Sequence, residues 1–323
     1  MSENIVVCLA CCRPESFKIW YKKWKSLFDK HNADVIVSWD TDDKTPKTKG
    51  VTFIKRKDFP SYVPSKTSAC RSAAVMSAYK KGYDIYIFLD DDVFPPTDGA
   101  DPIQAYIQGF KLPQNASGYF DVGNEFLTPI SFTRGFPYNE RKITPVVAQY
   151  GGWDNVPDLD ARDTRQLELT SGKPVKNYKF KRRVFAVPKH MGFTGCFMNC
   201  AFKHEVVPAL YHLNMGTTKV GYDRFDDIWA SLMMKRIADH MGWAVLINGE
   251  ATCYHDRASD TVKSVFQEQV GHKFNEDLWD KLLRMELSDQ MTFAQCYQRL
   301  TYCLPETQRD GAQEWIYDCE RII

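Results

Sequence analysis

Three consecutive aspartates, Asp90, Asp91 and Asp92, stand directly behind the apolar run of "YIFLDDDVFPP", residues 86 to 96. Like charges side by side repel, so a buried strand driven into such a cluster implies a positive charge that compensates it. An Asp-x-Asp at a strand end suits a divalent ion carrying a nucleotide diphosphate. Hard carboxylate oxygens take Mg2+ or Mn2+, and the ion bridges to phosphate oxygens and stabilises the phosphate as it leaves. The competing reading, a solvated acidic turn after an edge strand, is disfavoured by the run that precedes it. Asp90 and Asp92 are the expected metal ligands, with Asp90 and Asp91 also facing the nucleotide. In "CYHDRASD", His255 follows another strand-like run, where a neutral imidazole could complete the metal shell; an isolated histidine is otherwise a structural one.

Other polar groups fall in places where they could act on the same ligand. "FTRGFPYNER" sets Arg134 and Arg141 seven residues apart around a Gly and a Pro, and guanidinium forks match phosphate or carboxylate geometry. "RFDDIW" gives a second acidic pair, Asp226 and Asp227, at a helix start, either as caps or as a base and an orienter of hydroxyls. In an α/β nucleotide site the first strands' carboxyl ends hold base and ribose, which nominates Asp40 or Asp42 in "SWDTDD". Lys66 and Arg71, in "SKTSACRSA", are expected to face the nucleotide, Arg71 at its diphosphate or sugar.

The elements that must position these groups alternate. "NIVVCLA", "ADVIVSWD" and "YDIYIFL" are strand-length apolar runs. Between them lie a helix with Phe17, Trp20, Tyr21, Trp24, Leu27 and Phe28 near helical spacing and a second helix closed by Gly82. This predicts an α/β, Rossmann-type, mostly parallel sheet flanked by helices, with ligands beyond the strands' carboxyl ends. Residues 113 to 190 are irregular and rich in Pro and Gly, as segments covering sites often are. "GYDRFDDIWASLMMKRIADHMG" predicts a helix stopped by Gly242. The expected partition is a catalytic domain over 1–260 and a helical C-terminal extension over 261–323.

Bulk properties narrow the classes. Lys and Arg total 42 against 41 Asp and Glu, so no global field favours nucleic acid or an anionic membrane. No stretch approaches a membrane span and "MSENIVVCLACC" lacks a signal-peptide pattern, so the expectation is a cytoplasmic protein. The ten cysteines are expected to be free thiols, since Cys8, Cys70 and Cys253 sit in apolar or semi-apolar contexts and the remaining spacings suit no zinc site.

Taken together, "SKTSACRSA", "FLDDDVF", "RGFPYNER", "GGWDNVPDLDARDTRQLE", "FMNCAF", "RFDDIWAS", "IADHMGWAV" and "CYHDRASD" resemble, in order and approximate spacing, the plant reversibly glycosylated polypeptides, the UDP-arabinopyranose mutases. The similarity runs from about residue 60 to 275. It implies a GT-A-type fold and a UDP-sugar substrate, with UDP-arabinose favoured. It also implies metal and diphosphate binding at Asp90 to Asp92, and a requirement for Arg134 and Arg141, Arg134 being the position of reversible glycosylation.

The leading expectation is therefore metal-dependent interconversion of UDP-arabinopyranose and UDP-arabinofuranose. The alternative is a glycosyltransferase acting on an external hydroxyl acceptor. The basic stretch 173 to 190, with Lys179, Lys181, Arg182 and Arg183, admits a hydroxylated base in DNA as that acceptor. A homo-oligomer is compatible with either reading.

Overall fold

In the computed structural model, the residues described are 3–112, 114–119, 121, 132–216, 221–257 and 260–322. Their backbone is organised by one nine-stranded sheet in the order β3-β2-β1-β4-β8-β6-β9-β5, with β7 also paired to β9. The strands are β1 (Ile5–Cys11), β2 (Asp34–Trp39), β3 (Val51–Lys55), β4 (Ile85–Leu89), β5 (Val93–Phe94), β6 (Val146–Asn155), β7 (Val184–Ala186), β8 (Asn199–Lys203) and β9 (Ala244–His255). The expected α/β class holds, and the first four strands in the order are parallel. Beyond them β8 runs antiparallel to both β4 and β6, while β6 and β9 are parallel again.

The sheet is covered on both faces, which explains why its central strands are apolar without alternation. Val6 and Cys8 of β1 join one core cluster and Ile5, Val7 and Leu9 the other. Helix α1 (Pro14–His31) begins with Pro at its first turn and ends at Asn32 in the left-handed region. It buries Phe17, Trp20, Trp24 and Phe28 on the second cluster, beside α3 (Pro102–Gly109). The opposite face takes α2 (Arg71–Tyr79), α5 (Asp226–Met241) and the C-terminal helices α7 (Phe293–Leu300) and α8 (Glu306–Glu320). Helices α4 (Ala161–Ser171) and α6 (Thr261–Arg284) pack on each other. The segment after residue 260 shares the central core through Leu278, Leu282, Tyr297, Trp315 and Ile316. Among the described residues no helix is long and apolar enough to cross a membrane. The ten cysteines are unpaired, as expected, and burial raises the thiol of Cys70 to about 12.

Candidate active site

Strand β4 is buried on both faces and ends at Leu89, which delivers the aspartates into a cavity of about 690 Å³ at the carboxyl end of the parallel strands. Each aspartate has its own guanidinium. Arg71, from the first turn of α2, pairs with Asp90 and donates to the Phe197 carbonyl at 2.7 Å. Arg13, just past β1, pairs with Asp91, its Nε donating at 3.0 Å. Arg257, two residues past β9, reaches Asp92 at 2.6 Å and Asp91 at 3.8 Å. The positive charge that the triplet needs is thus partly supplied by three arginines. They balance the three aspartates and leave nothing over for a diphosphate.

The short antiparallel pairing of β5 with β9 sets Val93 opposite His255, which brings that histidine beside Asp92. Its Nδ1 is 2.7 Å from the Val156 carbonyl, and its Nε2 faces Asp92 at 3.9 Å. Asp92 is buried, and its Oδ1 has no hydrogen-bond partner among the described residues. Burial raises the pKa of its carboxyl. The donor chemistry suits a divalent cation: Asp92 has one oxygen without a partner, and its other oxygen, held by Arg257, lies 3.9 Å from an imidazole nitrogen whose ring is fixed from the other side. Asp90 turns instead to Arg71, so the three expected ligands do not converge as one cluster. Among the described residues, the group of three whose ligand atoms lie within 4.8 Å of one another is Asp160, Glu268 and His272.

The opposite part of the cavity is carboxylate-rich. Asp226 and Asp227 enter at the N-terminus of α5, joined by Asp158, Asp160, Asp223 and Glu268. Asp227 accepts from the backbone N–H of Phe197 and of Ile228, each at 2.9 Å, so both its oxygens are engaged. Burial, then the charge of Asp227, raise the carboxyl of Asp226 well above the usual range, and it is the member of the pair equipped to carry a proton. Burial also raises Asp227, against the opposing effect of the Phe197 N–H. Glu268 links the two acidic loops. Its Oε1 accepts from Arg224 Nε and its Oε2 from the Ala161 N–H, both at 2.9 Å. Arg224 itself sits at φ 62°, a conformation that this ion pair helps to hold.

Several expected site residues lie elsewhere. Asp40, Asp42 and Lys66 do not line the cavity. Asp40 accepts from Arg56 Nε at 2.8 Å and from the Lys66 backbone N–H at 2.5 Å, and Asp42 takes another Arg56 nitrogen at 2.8 Å. Their carboxylates are occupied by a local tie, and the cavity is lined near the first strand and α2 instead by Ala10, Arg13, Ser68 and Cys70. Arg134 is exposed on a turn, and Arg141 folds over the Tyr138 ring at 3.9 Å and donates to the Phe136 carbonyl. Neither reaches the aspartates. In the basic stretch, Lys179 pairs with Asp154 at 2.9 Å and Arg182 with Asp154 and Asp98 at 3.3 Å.

Arg13, Arg257, Asp158, Asp223 and Glu268 were not singled out from sequence. A lone arginine after a strand has no local pattern that marks it. Glu268 did leave a signal: it falls in the buried stripe Ser264, Glu268, Gly271, Leu278 and Leu282 of α6, where a charged residue requires a partner.

The arrangement is that of an α/β protein with a cavity lined by charged groups at its strand ends. The family model described as reversibly glycosylated polypeptide matches residues 2–312, and the chain belongs to that family. It is similar to UDP-arabinopyranose mutase 1 of Arabidopsis thaliana, 30% identical over 254 residues that span 76% of this chain and 68% of that protein. The probable UDP-arabinopyranose mutase 1 of Pisum sativum is 29% identical over 296 residues, 86% of this chain and 78% of that protein. Among solved structures, the crystal structure of GalNAc-T7 with UDP, GalNAc and Mn2+ is similar at 10% identity and a TM-score of 0.45, covering 98% of this chain and 55% of that one.

Proposed function

We propose that this enzyme binds a UDP-sugar and interconverts the pyranose and furanose forms of UDP-arabinose. The observation that carries the reading is one cavity lined both by an arginine–aspartate group and by a set of further carboxylates. The first suits a diphosphate and the second the hydroxyls of a sugar, and the named relatives are UDP-arabinopyranose mutases. Asp92 and His255 would hold a divalent cation, which when bound neutralises charge on the diphosphate as UDP departs. Arg71 and Arg13 fix the aspartates and face the phosphates. Asp226 holds a proton against the sugar, ready to be exchanged with a ring or hydroxyl oxygen as the ring opens and recloses. Asp227, held by two backbone N–H groups, keeps the acidic turn in register.

Family membership, and not the position of Arg134 on an exposed turn outside the cavity lining, is what supports that residue as a reversible sugar acceptor. In that step a guanidinium nitrogen bonds to the anomeric carbon and its proton passes to solvent water, while the bond from that carbon to the phosphate oxygen breaks and its electron pair leaves with UDP. The pairing of Lys179 and Arg182 with Asp154 and Asp98 favours a solvated, self-neutralised basic loop over a nucleic-acid contact. The deciding experiment supplies purified protein with UDP-arabinopyranose and Mn2+ and no acceptor, and separates the products by anion-exchange chromatography. The furanose form is expected at equilibrium with the pyranose. Release of free arabinose or transfer only on addition of a hydroxyl acceptor would overturn the mutase reading.

A further inference from the structure

The carboxylate end of the cavity has more negative charge than catalysis needs. Asp158, Asp160, Asp223, Asp226, Asp227 and Glu268 all line it. Against them stand the Arg224 guanidinium, which is spent on Glu268, and His272, whose Nε2 lies 3.1 Å from Asp160 Oδ2 without hydrogen-bond geometry. Asp160 caps α4 through the N–H groups of Arg162 and Asp163. Asp223 accepts one hydrogen bond, from Gln267 Nε2 at 2.6 Å. Among the described residues no lysine or arginine pairs with Asp158 or Asp223 to absorb a further negative group, whereas every aspartate of the triplet has an arginine.

The same cavity contains buried polar atoms with no partner among the described residues. His212 is 3% exposed and neither ring nitrogen has a hydrogen bond, and the Oδ1 of Asn275 and Nε2 of His272 are likewise buried and unmatched. Orphaned buried polar atoms signal a ligand that hydrogen-bonds. Hydroxyls satisfy them, since a hydroxyl both donates and accepts. A carboxylate on the ligand accepts only, and here it would face other acceptors.

We propose that Asp158 and Asp223 make this end a charge filter, which admits UDP-sugars whose ring is neutral or carries an ammonium group and rejects UDP-uronates. This rests on the UDP-sugar reading above. It adds the determinant of substrate class, with two residues outside the proton-transfer pair. Like charges brought together repel, and discrimination through a repulsive element is a common route to specificity.

The test is titration calorimetry on the full chain with Mn2+ and four ligands: UDP, UDP-glucose, UDP-glucuronate and UDP-glucosamine. UDP-glucuronate differs from UDP-glucose only in having a carboxylate where the other has a hydroxymethyl group. It is expected to bind at least tenfold more weakly than UDP-glucose, with UDP-glucosamine equal to UDP-glucose or tighter. In Asp223→Asn the gap between glucose and glucuronate should shrink about threefold, and a second variant, Asp158→Asn, guards against a folding failure of the first. Equal affinities for UDP-glucose and UDP-glucuronate, or a gap unchanged in both variants, would overturn the filter while leaving the UDP-sugar reading in place. Failure of UDP itself to bind would overturn that reading, and the filter with it.

Discussion

Two groups of acids line the cavity, and their partners differ in kind. At the end formed by Asp90, Asp91 and Asp92 every carboxylate is matched by a guanidinium from a different element, the start of α2 and the segments just past β1 and β9. At the other end Asp227 accepts from two backbone N–H groups and Asp223 from one side-chain amide. A carboxylate paired with a guanidinium is fixed in place and its charge is offset. Burial raises the carboxyls of Asp226 and Asp227, and the N–H groups that Asp227 accepts oppose that rise.

Removing the central acid should blur that distinction most. In Asp92→Ala the orphaned oxygen and the neighbour of His255 disappear together, and Arg257 loses its 2.6 Å partner. Turnover is expected to fall by about 1000-fold, the scale seen when a preorganised charge-stabilising group is deleted. Calorimetric UDP affinity should become insensitive to EDTA in the variant while remaining sensitive in the parent. Equal EDTA sensitivity in both proteins would show that Asp92 has no part in holding the ion.

A smaller effect is expected at the other end, and it is one that pH can read. Asp226 has its carboxyl raised by burial and by Asp227, so the folded chain keeps a proton that the unfolded chain releases in the ordinary carboxylate range. Between those two values the folded state binds more protons, and its stability must fall as pH rises. Asp226→Asn cannot titrate. It should flatten that part of the stability profile and make the protein more stable than the parent on the high-pH side. Turnover should drop by about 100-fold through loss of the proton carrier. Urea midpoints collected from pH 4 to 8 test the first half of this prediction, and superimposable profiles for parent and variant would refute it.

How much of this was legible in the sequence divides along the same line. The aspartate triplet was readable because β4 is buried on both faces, and a fully apolar run that ends in three acids calls for positive charge at its tip. Asp226 and Asp227 were readable as a pair at a helix start, but their contrast was not: it depends on the Phe197 N–H, some 30 residues away in the chain. The alternating first half gave its parallel strands through apolar runs and helical spacing. The antiparallel insertion of β8 between β4 and β6 left no such trace, because a five-residue strand with little exposed surface looks the same in either direction. Asp40 and Asp42 sat at the expected strand end, and it was Arg56, on the far side of β3, that engaged them. Arginine partners are the least legible part of the site. Their long side chains reach across elements, so spacing along the chain says little about where the guanidinium lands.

Arg257 gives the smallest and most discriminating comparison among those partners. Arg71 is 7% exposed and fixed by both Asp90 and the Phe197 carbonyl, whereas the Arg257 side chain is 49% exposed and has aspartates alone for partners among the described residues. A half-exposed ion pair contributes little to stability, because solvent screens it and an ordered side chain loses entropy. Arg257→Gln should therefore leave the urea midpoint nearly unchanged. Its effect should appear in binding. Arg257 holds the Asp92 oxygen that lies beside His255, so a cation proposed there and the guanidinium compete for Asp92, and with the cation in place the guanidinium is free to meet a phosphate. Losing one charge-assisted contact of that kind weakens binding by about tenfold. UDP affinity should fall by this factor in Arg257→Gln, while Mn2+ binding without nucleotide, followed by the loss of free-ion electron paramagnetic resonance signal, should tighten. Weaker Mn2+ binding in the variant would mean that Arg257 supports the cation position instead of competing for it.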